Sequence, residues 1–522
     1  MTETFRKLSD AHRRQLDLEH TVVDERTYDR VWSAIMRLIK LLDEFPGRRD
    51  KILSQAEFAV VIAERDSEDC LMRRERMFTL ANSLIEGSRQ LLPRTLRDAS
   101  EGNVAIDATF VPLYGKTGNP SPTNPHGKRW SANHDGGWYR REGSHGAVTH
   151  ADADMMNKIE GSKAYSGTAP GKRMWGVEIE IARATANYAG FPDQFPLLTH
   201  AVSFHIPGAI VGEGARLVES LHERGHPINL VIVDRAYSNG LYGQYAVPVR
   251  LLGGKNVFTY RDSDLGEQAF DVRGFVQISG SWYLDTLPKV LREADRVILA
   301  ARNSYKRSKP TGSRKAPETS EQVKKRKQAH ADWLLAATLY KTQFAQRAKS
   351  LLRPKGRMDA DWTRRYLVPI DSPDYAKWKA QPAAHQSVTV MMKRPEGKEA
   401  ELANAGGLKH EQHFCFGGEE WTRANGMRNG VESVNRSLKR SQYEDIADPD
   451  KRAIRGNTFT YLVVAVATVV ENLRQIINFY KRHLAVKTVT PKNNRLPSVF
   501  WQDPDRTPGQ DLAGLPPDIP PL

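Results

Sequence analysis

Only two cysteines, Cys70 and Cys415, occur in 522 residues. A disulfide framework is thereby excluded, and a reducing compartment, the cytoplasm, is expected. The first stretch, MTETFRKLSD, lacks the apolar segment of a secretory signal. Long hydrophobic runs are scarce too. The uncharged apolar stretch Thr458 to Val470 falls short of the ~20 apolar residues that span a bilayer, so it reads as a buried helix and no membrane partner is expected. A Gly-x-Ser-x-Gly elbow and paired cysteines are also missing, which removes the usual signals of serine hydrolases and dithiol chemistry. Acidic residues are the minority charge: 62 Asp and Glu stand against 77 Lys and Arg, a formal net charge of +15. An excess of that size points to a polyanion, usually nucleic acid, with a merely basic soluble protein as the alternative.

What is present divides the chain into unequal textures. Residues 1–100 read as helical: Val31, Ile35, Leu38, Ile39 and Leu42 share a face that ends at Pro46-Gly47, and further helices are predicted around Ile52 to Glu64 and Met77 to Leu92. Basic pairs such as Arg13-Arg14 and Arg73-Arg74 leave two readings open, a small DNA-binding module or a helical cap with a solvated face. From Asn103 to about residue 250 the order is strand (NVAIDATFVPL), long polar loop (Gly115 to Gly171), two strands, a helix over Gly212 to Gly225, and the strand NLVIV. Residues 251–410 read as an insertion of mixed, partly β structure, with a basic, Pro-containing run from Ala301 to Gln328. Helical texture returns over 411–485, and 486–522 is a Pro-rich tail.

Within that order three segments carry charge where chemistry needs it. Asp234 follows the apolar run Leu230 to Val233, hence the carboxyl end of a central strand, where ligands collect in open α/β sheets; capping of the next turn is the plain alternative. Asp107 sits within the first strand. In WTRANGMRNGVESVNRSLKR, Arg428, Glu432 and Lys439 fall on one helical face, while Val431, Val434 and Leu438 form the apolar face beside it. An amphipathic helix with an ion pair explains that spacing equally well.

Taken together, AIDAT, IVDRAYSN and Arg-x3-Glu-x6-Lys resemble the motifs of DDE transposases of bacterial insertion sequences. The resemblance covers roughly Asn103 to Arg440. It implies an α/β fold with an RNase H-like mixed sheet flanked by helices, a helical N-terminal domain, and a β-rich insertion between the second and third acids. The large branch of that group carries a tyrosine three residues before the arginine; here that position is Asn425. The implied site is Asp107, Asp234 and Glu432 as catalytic metal ligands, with Arg428 and Lys439 on DNA phosphates. Trp282, in the insertion, is a candidate to stack on a flipped base, with a buried strand tryptophan as the alternative.

The chemistry explains those residue types independently. In-line displacement at a phosphodiester needs charge neutralised at the attacking and leaving oxygens, which two Mg²⁺ or Mn²⁺ ions do, and hard cations want carboxylates. Expected partners are double-stranded DNA, namely the terminal inverted repeats of an element and its target, and further copies of the chain on that DNA. Lys306, Arg307, Lys324, Lys325 and Arg326 are expected on phosphates. Two other functions remain open, an RNase H-like nuclease without strand transfer and an inactive DNA-binding derivative. Competing third acids are Glu411, Glu419 and Glu420. YGKTG fails as a phosphate loop because Phe110 stands where the earlier glycine belongs, and His410, His413 and Cys415 suggest zinc without a fourth ligand.

Overall fold

The computed structural model describes residues 7–15, 24–45, 52–115, 136–140, 173–191, 194–271, 274–309, 319–356, 362–372, 375–380, 385–392 and 407–488, with 17, 20, 133 and 358–360 besides. The Pro-rich tail from 491 and most of the polar stretch 116–172, including His134, Asp135, His145 and His150, lie outside them. One part of that stretch is described, and it is a strand, Gly137–Arg140.

The architecture is mixed α/β. A six-stranded mixed sheet is built from β1 (Val104–Pro112), β2 (Gly137–Arg140), β3 (Arg173–Ala184), β4 (Thr199–His205), β5 (Leu230–Val233) and β6 (Lys255–Phe258). Their order is β2-β3-β1-β5-β6, with β4 paired to β3 farther along the same edge. β3 runs antiparallel to β1, β2 and β4, whereas β1, β5 and β6 are parallel. Both faces of the sheet are covered, so β5 reads as a continuous apolar run, and β1 is apolar on both faces except at Asp107 and Thr109. Before the sheet come α1 (Thr27–Leu42), α2 (Gln55–Ala63) and α3 (Ser67–Gln90); α4 (Glu213–Glu223) joins β4 to β5, and α5 (Ala246–Leu251) joins β5 to β6.

Local chemistry sets several of these boundaries. Ser54 and Glu57 close a reciprocal capping box at the start of α2, and the Asp66 carboxylate accepts from the Glu68 and Asp69 amides at the start of α3. The N-terminal helices do not form a separate body. Phe58, Met77, Ala81 and Ile85 share one core with Ile179, Ile181 and Val202 of the sheet and with Val464 and Ala465 of the last helix, α10 (Asn457–Thr488).

Edge strand β4 is held by two buried asparagines. Asn82 of α3 donates to the Val202 carbonyl at 3.0 Å and accepts from its amide at 2.8 Å. Asn472 of α10 does the same at Thr199, at 2.8 and 2.9 Å. Backbone groups left unpaired at a sheet edge are thus satisfied by helices, and the edge is covered. Asn457 to His483 is long and apolar enough to cross a membrane by length and composition alone. Its helix extends well past the uncharged run because Glu471 and Asn472 continue it, and both are buried.

The insertion is more helical than its sequence texture implies. Two three-stranded antiparallel sheets, β7 (Glu267–Asp271), β8 (Phe275–Ile278), β9 (Ser281–Leu284) and β10 (Arg353–Lys355), β11 (Thr363–Leu367), β12 (Ser387–Met391), are separated by an antiparallel pair, α6 (Ala294–Ser308) and α7 (Ser320–Lys349). The basic run lies mostly on these two helices. At their base Asp295 and Arg347 pair at 2.7 and 3.0 Å with side chains only 2% and 1% exposed, and Tyr340 and Ser279 hydroxyls donate to the same carboxylate. After the third-acid region begins, α8 (Glu419–Gly426) and α9 (Asn429–Leu438) precede α10.

Removing one member of a buried pair strands the other charge, which typically costs about 3–5 kcal/mol. Asp295→Ala is therefore expected to destabilise the protein by that amount in urea unfolding, and Asp295→Ala with Arg347→Met to recover most of it. Equal loss in the single and double variants would show that packing, not charge, anchors the helical pair.

Candidate active site

Placement of the two aspartates begins five residues before the first of them. Gly102 has φ +86°, and a Cβ there would lie 2.1 Å from the Pro227 carbonyl oxygen, so only glycine lets the two segments approach. Asn103, fully buried, then staples the strands: its Oδ1 accepts from the Leu230 amide at 3.1 Å and from Asn229 Nδ2 at 2.9 Å, while its Nδ2 donates to the Ala186 and Asn187 carbonyls. The parallel register that results pairs Val104 with Val231 and Ala105 with Ile232. Two residues on, Asp107 comes level with Asp234, where β5 has just ended. Asp234 is fixed in turn by the Ala236 amide, which donates to Oδ1 at 2.6 Å.

The third acid arrives on α9. Val431, Val434 and Leu438 are buried in the main core, and Arg183 of β3, itself buried, donates to the Gly430 carbonyl and to Ser433 Oγ. Helix α9 is thereby fixed over the sheet face that carries Asp107, and Glu432 stays about half exposed, at 52%. Arg428, just before the helix, reaches both acids: Nη1 lies 3.3 Å from Asp107 Oδ1 and Nη2 3.0 Å from Glu432 Oε1.

Electrostatics single out Asp107. Burial raises its pKa, Arg428 opposes that, and the charges of Asp234, Glu180 and Glu432 raise it further, to about 7. A carboxyl crowded by three others is a site that gains from added positive charge. Carboxylate oxygens are the donor set that Mg²⁺ and Mn²⁺ prefer. Among the described residues, however, no group of three or more His, Cys, Asp or Glu is placed to hold a metal ion as it stands. In this structure the Arg428 guanidinium supplies the neutralising charge between Asp107 and Glu432.

Two of the three competing acids are engaged elsewhere, and the third, Glu420, is exposed on α8. Glu411 is buried against Arg364 at 2.9 Å and Arg250 at 3.3 Å, welding the β10–β12 sheet to α5, and Glu419 pairs with Arg423. Lys439 ends α9, and Asn425, at the position of the expected tyrosine, lies on α8 with its Oδ1 buried. Trp282 corrects an expectation: at 2% exposure it is a core residue of the insertion, packed with Leu408, Met392 and Gly407, and offers no plane for a base. His410, buried and held near pKa 4 by that burial, and the exposed His413 do not converge with Cys415, which faces the Tyr283 hydroxyl at 3.4 Å. Lys306 and Arg307 on α6 and Lys324, Lys325 and Arg326 on α7 sit at the outer end of the helical pair, far along the chain from the acids.

Sequence reasoning missed Asn103, Arg183, Glu178, Glu180 and His205. A signal for two of them was present: EIEIAR places acids inside an otherwise apolar strand, which is costly unless they are paired.

A carboxyl held at about 7 when folded and 3.8 otherwise binds its proton more tightly in the folded state. Stability is therefore lost as pH rises from about 4 to about 7, by up to about 4 kcal/mol at about 1.4 kcal/mol per tenfold change in proton affinity. Asp107→Asn lacks this penalty. Its melting temperature in chelator should exceed the wild type's above pH 7, and the gain should shrink toward pH 4; a gain independent of pH would show that Asp107 carries no such burden.

No protein family, curated protein or solved structure matches this chain. Its function is read from the chemistry of the acids and the charges around them.

Proposed function

We propose that the chain is a cytoplasmic DNA transposase of the DDE type, which binds terminal inverted repeats, cleaves DNA strands there and joins the freed ends to a target. The observation that carries the reading is the convergence of Asp107, Asp234 and Glu432 from three distant segments, with Arg428 between two of them. The strand order β4-β3-β1-β5-β6, with β3 antiparallel to β1, supports an RNase H-like sheet. Asp107 lies on β1, Asp234 directly follows the parallel strand β5, and Glu432 sits on α9 over the face that carries Asp107.

In that reading Asp107, Asp234 and Glu432 would hold two divalent cations, Mg²⁺ or Mn²⁺, which would supply charge neutralisation for in-line phosphoryl displacement. Asp107 gives up its proton near neutral pH. Arg428 and Lys439 flank Glu432 and offer positive charge to the DNA backbone. The outer end of the α6–α7 pair adds a second phosphate contact: α6 brings Lys306 and Arg307, α7 brings Lys324, Lys325 and Arg326, and Tyr305 stacks on Trp333 at 5.4 Å to hold the two helices in register there.

Asp234→Asn and Glu432→Gln are expected to lower cleavage of a terminal-repeat duplex by orders of magnitude while leaving its binding intact, and Glu420→Gln is expected to change neither. Full cleavage in chelator would remove the metal from the mechanism. Cleavage without joining of precut ends would make the protein a nuclease.

Neutralising Lys306, Arg307, Lys324 and Lys325 should flatten the dependence of log affinity on log salt by about 0.9 per lost phosphate contact. An unchanged slope in a folded variant would assign these residues to solvent.

A further inference from the structure

A second buried polar cluster lies behind the acids. Glu180 of β3 is fully buried, His205 ends β4, and Tyr237 follows Asp234 by three residues. In the antiparallel register Ala108 faces Glu180 and Asp107 faces Ile181, so Glu180 projects from the sheet face opposite Asp107. The Tyr237 hydroxyl donates to Glu180 Oε2. His205 Nε2 lies 2.8 Å from Glu180 Oε1, and its Nδ1 lies 2.8 Å from the Ile206 carbonyl.

With acceptors at both ring nitrogens, the imidazole donates twice and is a cation. Burial alone would lower its pKa, but the hydrogen bond and charge of Glu180, with Glu178 behind, raise it to about 9. Both Glu180 oxygens are thus engaged. Glu178 in turn accepts from the Gly208 amide at 2.9 Å.

The position of these links matters more than their number. β1 runs between β3 and β5, so a bond from Tyr237, just past β5, to Glu180 on β3 passes behind β1. It ties the turn that carries Asp234 to the strand on the far side of Asp107. β5 is only four residues long, and the turn after it has the Ala236 amide on Asp234 and the Ser238 hydroxyl on the Arg235 carbonyl as its own internal bonds. Metal ligands must be held to about 0.5 Å to bind well.

We propose that Tyr237, Glu180 and His205 form a buried brace that fixes the spacing of Asp234 from Asp107, acting as positioning residues for the metal-binding acids. The proposal rests on the reading of those acids as metal ligands. The cluster is an expensive way to gain stability, since a buried ion pair is often no better than apolar packing of the same shape. It serves a short turn whose aspartate has to meet a partner on another strand.

The test is calorimetric titration of Mn²⁺ into the full chain, stripped of metal, at pH 8. Tyr237→Phe and Glu180→Gln should bind Mn²⁺ about 10- to 100-fold more weakly, the loss usual when a group that orients a ligand is removed. Tyr461→Phe is the control: its hydroxyl donates to the Val202 carbonyl at 3.0 Å in the same buried sheet but away from the turn. It should lower the melting temperature and leave Mn²⁺ affinity at the wild-type value. If Glu180→Gln does not fold, Tyr237→Phe, which removes one oxygen, decides. Wild-type affinity in Tyr237→Phe, or an equal loss in Tyr461→Phe, overturns the brace alone. Absence of Mn²⁺ binding in the wild type overturns the metal reading and the brace with it.

Discussion

Like charge gathered at the end of a buried sheet is the constraint that organises this protein. Asp234, Glu180 and Glu432 stand close enough to raise the proton affinity of Asp107, as Glu180 and Asp234 do that of Glu178, and Glu180 and Glu178 are buried almost completely. Carboxylates in such a place are tolerated only with compensating donors and cations. Arg428 answers on the α9 face and His205 on the other, while the Gly208 and Ala236 amides take single oxygens. The compensation is incomplete at Asp107, whose proton affinity is raised the most. A fold optimised for stability alone would replace that aspartate.

The surrounding architecture keeps this cluster from relaxing. Asn103 locks β1 to β5, Arg183 locks β3 to α9, and Glu411 locks the insertion to the core through Arg250 and Arg364. Each is a buried polar group that satisfies partners on a different element, so moving one element leaves a donor or acceptor unpaired. The helical pair α6–α7 stands on a similar weld at Asp295 and Arg347. Rigid placement of a basic projection relative to the acids follows from polar bonds, with apolar packing filling the space between.

Much of this was legible in the sequence where local rules act. The apolar run ahead of Asp234, the face shared by Val431, Val434 and Leu438, and the helix over Gly212 to Gly225 each follow from periodicity, and each is present. The level placement of Asp107 and Asp234 was not, because it depends on one side chain, Asn103, whose four partners come from two segments distant from it in the chain. The helical pair was hidden by Pro310 and by the density of Lys and Arg, a texture that suits a solvated linker equally well. At Trp282 the resemblance implied a base-stacking role and the strand texture a buried tryptophan; its neighbours Gly407 and Met392 make it a core residue. The N-terminal helices looked separable because their basic pairs suggest a module, yet the contacts that bind them to the sheet are made by Asn82 and by apolar residues spaced along one face of α3.

The clips on β4 have a consequence for how the chain is made. Val202 is satisfied by a residue 120 positions earlier and Thr199 by one 273 positions later. During synthesis, the strand therefore emerges with its amino-terminal partner in hand and its second partner missing until nearly the whole protein has been translated. For tens of seconds, at about 5–20 residues per second, the edge at Thr199 is open to any other strand that passes. Nascent chains side by side on one message would meet in that state, so the ribosome-bound period, more than the finished fold, is when this sheet is exposed to mispairing.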